Sequence, residues 1–410
     1  MPRLFNFDNK GVIDSSIYLF VVINFYNFLN YLFQFISARM LGSEGYSSVA
    51  VFMGLVYVLI IPSSSILTII SRYTTLFISR GESRNVGELV RKTNSKFIKI
   101  SLLLFILLAF LSPFVGKFLN IDAGIIVLSA LLGIAMISLS VYRGAFQGMK
   151  RFRAFGISYL SEGITKVAIS IALIMAIGVY GAIIGYTMSF FISLGVSFLL
   201  IKDIFKDKEK NFKAEGIYGY SLPVLITLTG ITLLYSLDLI LIKRFFPADI
   251  AGKYAAIALL GKAIFFATNP ISMAAFPFMS EHYDTKNKVG SPLMKALISV
   301  ALIGGIALTI YALFPSTIVK LFFGQEYMPF VQFLVYPGAA MFLLSISNMF
   351  AFYNLSNNNY KANYIILLAI FIQIILISMF HATIMQFMTS LLATQIFLII
   401  MMGLIHLIKR

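Results

Sequence analysis

The sequence has no cysteine, no tryptophan and only three histidines, and charged residues fill just 12% of its 410 positions. Without cysteine there are no disulfides or thiolate metal sites, and the redox compartment leaves no mark on the chain. The histidines, His282, His381 and His406, are scattered, with no metal-ligand spacing and no nucleophile partner. No metal site and no enzyme constellation is therefore expected. A phosphate-binding glycine loop is also lacking, so any energy source must be something other than ATP bound by this chain.

What is present is apolar. Hydrophobic residues make up 60% of the chain and the mean hydropathy is +0.92, too apolar for a soluble surface and suited to lipid as the solvent. Apolar runs of roughly 20 residues recur from end to end, each long enough to cross the ~30 Å hydrocarbon layer as a helix. Backbone groups in lipid must bond within the chain, so the expected fold is all-α and polytopic. Twelve spans are expected, near 12–38, 46–70, 96–116, 122–146, 154–178, 180–202, 218–245, 250–276, 293–315, 330–354, 361–381 and 383–407. The first contains Asn24, Asn27 and Asn30 and outlasts a signal-peptide core, so it reads as a permanent helix. With no tryptophan, the 21 tyrosines are left as interfacial anchors.

The net charge of +16 does not point to nucleic acid, because the basic residues fall in short segments between apolar runs. Of the 32 Lys and Arg, 24 lie in segments on the side of the N-terminus, six in opposite loops, and two, Lys166 and Lys262, within spans. By the positive-inside rule both termini are cytoplasmic and the protein belongs in the cell membrane.

The chain also repeats itself. An offset of 208 residues places Tyr46 on Tyr254, Ala50 on Ala258 and Pro62 on Pro270, and LSPFVGKFL from Leu111 aligns with LFPSTIVKLFF from Leu313 after a small gap. Two six-helix lobes follow, 1–203 and 217–410, joined by a charged cytoplasmic linker at 204–216. An even number of spans per lobe inserts both the same way up. The matched prolines suggest a bent second helix in each lobe, as a pathway lining or a static kink. Gly181 and Gly185 allow close helix contact.

Several ordered segments resemble the polysaccharide flippases of the MOP superfamily, the O-antigen and lipid-linked oligosaccharide exporters related to MATE drug exporters. They are ARMLGSEGY, SRYTTLFISRGE and YRGAFQGMKRF in the first lobe, and SLDLILIKRFF, AGKYAAIALL and AFPFMSEHYD in the second. The resemblance implies a V-shaped pair of lobes around a central cavity that opens alternately to each side. Its principal walls would be the first, second, seventh and eighth helices.

Polar groups inside spans are the candidate site, because a charge at mid-bilayer costs about 2.5–3.5 kcal/mol on insertion scales. Lys262 lies roughly 18 Å along its helix, near the midplane, and shares a face with Asn269 and Ser272. Lining a wet cavity and meeting an anion is its expected role. Asp238 lies at similar depth and suits either pairing with Lys262, Lys243 or Arg244, or contact with an ion or headgroup. Glu162 and Lys166, one turn apart, form either a structural ion pair or a coupling site. Asn24, Asn27, Tyr31 and Gln34 form an uncharged polar stripe suited to sugar hydroxyls or to helix–helix bonding. Arg72 would either guide a phosphate into the cytoplasmic mouth or only set topology.

The expected function is translocation of a polyprenyl-(pyro)phosphate-linked oligosaccharide from the cytoplasmic to the outer leaflet by alternating access. The alternatives are MATE-type export of small organic cations and a non-transporting membrane scaffold. No cofactor is implied, and sodium and proton coupling both fit the sequence. The expected partners are membrane lipid and the glycan substrate, with the chain as a monomer, alone or beside glycan-assembly enzymes. A reporter fused after Arg410 should be active only in the cytoplasm; activity on the opposite side would reverse the orientation.

Overall fold

The computed structural model describes residues 9–205, 222–284, 290–357 and 359–408. Almost all of them are helical. Ten apolar runs are long enough to span a membrane, and two of these are broken by non-helical backbone. The first break is at Gly42 (φ 67°), and the second at Ile177 and Gly178 (φ 59°), where the left-handed region suits glycine. Among the described residues there are therefore twelve spanning helices, as expected. They are α1 (9–41), α2 (43–79), α3 (Arg84–Leu119), α4 (Ala123–Gly148), α5 (152–176) and α6 (179–201), then α7 (Leu222–Phe245), α8 (Ala248–Asp284), α9 (Gly290–Leu313), α10 (Val335–Ser356), α11 (Lys361–Met379) and α12 (Ile384–Ile408). Between α9 and α10 lie a short helix, Pro315–Phe322, and a 3-10 segment, Gln325–Phe333. The backbone stays helical through Pro62 and Pro270, so the interruption near the second helix falls at Gly42 rather than at the proline. Most of the expected linker, from residue 206 on, lies outside the described residues, as do the side chains of His282 and His406.

Packing divides the chain into two units. One comprises Met1–Leu41 and Pro62–Ile217, and the other Gly42–Ile61 and Tyr218–Arg410. The first half of α2, which the repeat places in the first lobe, is thus packed in the second unit.

In the first unit, glycines set the helix spacing. A Cβ on Gly144 or Gly148 would lie 2.6 or 2.5 Å from the carbonyls of Leu67 or Ser71 on α2, so α4 and the second half of α2 meet backbone to backbone. Gly181 and Gly185 do the same between α6 and α5, approaching Leu173 O and Ser170. The apolar core beside them includes Ile70, Leu89, Val141 and Phe146, all at most 1% exposed. At the start of α4, Asp122 accepts from Gly124 N (2.7 Å) and from the Tyr180 hydroxyl (2.5 Å). These two donors hold its carboxyl below the usual carboxylate range.

In the second unit the segment 42–61 lies against α7 and α8. A Cβ on Gly252 would sit 1.7 Å from Ser43 O, and one on Gly54 would touch Ile240 and Leu239. Tyr57 meets Tyr235 edge to face at 5.5 Å. The repeat-matched residues Tyr46, Tyr254, Ala50 and Ala258 are all buried here. Ser43 N–H and its hydroxyl reach Glu326 Oε1, both at 2.7 Å, and the hydroxyl also touches Asp249.

Replacing Gly252 by alanine should cost about 1–3 kcal/mol from overpacking against backbone that cannot yield. Gly195→Ala, on an exposed face of α6 with nothing within 4 Å of the added carbon, should be neutral or stabilise by up to ~1 kcal/mol. Thermal unfolding of the two purified variants separates these outcomes.

Candidate functional site: buried charge networks in each unit

The first unit holds three charges in one cluster. Glu162 and Lys166 on α5 are fully buried, on the stripe with Ser158 and Ser170. Gly163 beside them lets α1 approach closely, since a Cβ there would lie 2.9 Å from Leu29. That approach brings the Tyr26 hydroxyl to Glu162 Oε1 (2.6 Å) and Asn30 Oδ1 to the Lys166 ammonium (2.6 Å). Lys166 also donates to Glu162 Oε1 (2.9 Å) and lies 4.3 Å from the centre of the Tyr186 ring.

The remaining carboxylate oxygen, Glu162 Oε2, accepts from Arg143 of α4 at 2.9 Å. Arg143 further donates to Ser158 Oγ (2.9 Å) and Ser158 O (3.0 Å), and its guanidinium stacks 3.7 Å from the Tyr159 ring centre. Sequence reasoning had counted Arg143 among the inner-loop cations. It is instead buried, 6% exposed, five residues before the end of α4. The missed signal was its position inside an apolar run three residues after Ser140, opposite a helix that carries a lone carboxylate. Asn30, too, was read only as a polar interruption of the first run. Two cations and one anion leave this cluster with one surplus positive charge.

The second unit holds a balanced pair. Lys262 of α8 is 1% exposed and donates to both oxygens of Asp238 on α7, at 2.7 and 3.0 Å. The same carboxylate accepts from the Tyr254 hydroxyl (2.9 Å) and from Leu239 N (2.8 Å). Of the partners weighed for Asp238, Lys262 is the one found. Lys243 instead donates to Ser47 Oγ at 2.7 Å. Asn269 is half-buried and accepts from Asn348 Nδ2 (3.0 Å).

The polar stripe of α1 changes surroundings along its length. Asn24 and Asn27 are exposed, Tyr31 is half-buried and Gln34 is buried; Asn24 donates to Phe20 O of its own helix (2.8 Å). Arg72 is exposed on α2. The structure therefore brings together Glu162 with Lys166, and Asp238 with Lys262.

Comparison with known proteins fits this architecture. Residues 12–283 match the family described as polysaccharide biosynthesis protein. The chain belongs to that family. An uncharacterized membrane protein of Methanocaldococcus jannaschii is 22% identical over 298 residues, covering 66% of this chain and 68% of its own. Among solved structures, the lipid II flippase MurJ in an inward closed conformation superposes with a TM-score of 0.73 at 14% identity, over 96% of this chain and 88% of MurJ. An inward-facing multidrug-resistance MATE transporter of the MOP superfamily gives 0.71 at 13% identity, over 92% and 93% of the two chains. A eukaryotic MATE transporter gives 0.65 at 13%, over 97% and 96%. The fold is the one shared by these MOP-superfamily MATE transporters and MurJ.

Among the described residues Glu162 is the only counter-charge for two buried cations, so Glu162→Gln should cost about 3–5 kcal/mol by leaving them uncompensated. Lys166→Met leaves the neutral Arg143–Glu162 pair and should cost much less. Thermal melts of both variants in one detergent test the order; equal losses would show that the surplus charge is balanced elsewhere.

Proposed function

We propose that this protein is a flippase for an anionic, lipid-linked oligosaccharide, carried from the cytoplasmic to the outer leaflet. Membership of the polysaccharide biosynthesis family is the observation that carries the reading, and the MurJ-like fold supports it. The buried charges agree in sign. In the first unit's cluster Arg143 and Lys166 outnumber Glu162, which favours a phosphate or pyrophosphate over a cation there. Amides at Asn24, Asn27 and Asn269 suit sugar hydroxyls. The lipid tail needs no protein pocket, because it can stay in the bilayer.

Export of organic cations is the competing reading, and the MATE likeness supports it at the level of fold. Against it, both mid-span carboxylates, Glu162 and Asp238, already hold protein cations at 2.7–2.9 Å. A drug cation would have to displace them.

Binding at Lys262 requires exchange of its Asp238 partner for a substrate phosphate. Lys262→Ala alone would leave Asp238 charged and buried, so loss of activity would be confounded by loss of folding. The paired variant Asp238→Asn with Lys262→Met removes both charges together. Proteoliposomes containing the wild-type protein should flip polyprenyl-pyrophosphate glycans, and the folded double variant should fail. A double variant that flips at the wild-type rate removes Lys262 from the substrate path. Transport of organic cations with no glycan flipping would overturn the flippase reading itself.

A further inference from the structure

Helix α3 is too long for a bilayer. Its 36 residues, Arg84–Leu119, rise about 54 Å at 1.5 Å per residue, against a hydrocarbon thickness of ~30 Å. The uncharged stretch from Ile100 to Gly116 accounts for about 26 Å of that rise, with Lys117 just beyond its far end. Lys99 therefore sits at the hydrocarbon edge. Lys96 lies about 4.5 Å beyond it and Lys92 about 10.5 Å beyond, within the headgroup layer and at its aqueous margin.

These lysines share one face. At about 100° per residue, Lys92, Lys96, Lys99, Leu103, Phe110 and Phe114 fall within ~40° of a single line along the helix. The apolar members of that line are among the most exposed residues in the structure: Leu103 at 68%, Phe110 at 73% and Phe114 at 70%. The three lysines are exposed too. At the start of the helix Val86 to Val90 are buried, and Gly87 is in tight contact with Ile204 O. Glu88, the one acidic residue of α3, lies one turn before Lys92 at the edge of this face; it is buried and pairs with Arg91 at 2.7 Å. Beyond it the cationic stripe runs directly into the lipid-facing stripe of the same helix.

We propose that the Lys92–Lys96–Lys99 face is a docking site for an anionic phospholipid, with the headgroup phosphate on the lysines and the acyl chains along Leu103, Phe110 and Phe114. Lysines just cytoplasmic of a span attract anionic headgroups by about 1 kcal/mol each near the surface. Three aligned with an apolar track hold both parts of one lipid. The site is independent of the transported substrate and stands whether or not the flippase reading holds.

The test uses the purified full-length protein in neutral detergent, with phosphatidylglycerol or phosphatidylcholine added. Phosphatidylglycerol should raise the melting temperature and remain bound in native mass spectrometry, whereas phosphatidylcholine and soluble glycerol phosphate should do neither. Lys92→Gln, Lys96→Gln and Lys99→Gln together should abolish at least two-thirds of the phosphatidylglycerol shift. The matched control, Lys150→Gln, Arg153→Gln and Lys202→Gln, removes three other exposed cations of the same unit and should keep it. If the triple variant does not fold, the Lys92→Gln and Lys96→Gln double should lose about half the shift, and arginine at both positions should restore it. An undiminished response in the stripe variants overturns the proposal. So does an equal loss in the control, which would mean diffuse attraction with no site.

Discussion

The cost of an ion in lipid governs this structure more than any other term. An isolated charge moved from water to a medium of low dielectric loses far more solvation than one contact returns, so each buried charge must bring its partners with it. Glu162 is the clearest case. Its two oxygens collect a lysine, an arginine and a tyrosine from three different helices, α5, α4 and α1. Once those helices must converge on one carboxylate, their relative rotation and depth are fixed. Gly163 then follows as a necessity, because α1 and α5 can only converge where no side chain intervenes.

The same constraint makes the two units unlike each other despite their shared repeat. In the second unit Asp238 and Lys262 cancel, and Tyr254 at the repeat-matched position completes the carboxylate's coordination. Its repeat counterpart Tyr46, packed in the same unit, lies among aromatic rings, 6.3 Å from Phe323 and 6.5 Å from Tyr327. Among the described residues, the Glu162 cluster of the first unit keeps one cation in excess, whereas the Asp238–Lys262 pair is balanced.

Much of the fold was legible in the sequence because lipid permits few solutions. Twelve apolar runs, the i, i+4 spacing of Glu162 and Lys166, and the Gly181 and Gly185 contacts all follow from local pattern. What escaped was long-range. Arg143 looks like a loop cation until α4 is seen to carry it inward, and its partner is 19 residues away on another helix. Pairing of Lys262 with Asp238, 24 residues away, was open from their similar depth, and packing selects it over Lys243 and Arg244. The packing of 42–61 with the second unit was hidden for the same reason, since periodicity describes a helix and not its neighbours.

That last feature bears on how the protein is made. Ser43 depends on Glu326, which lies 283 residues later in the chain. At synthesis rates of about 5–20 residues per second, the first half of α2 waits roughly 15–60 s for this partner to leave the ribosome. During that interval Ser43 and its neighbours must be sheltered by lipid headgroups or by the insertion machinery. Biogenesis, and not only the finished structure, therefore places a demand on the short sequence around Gly42.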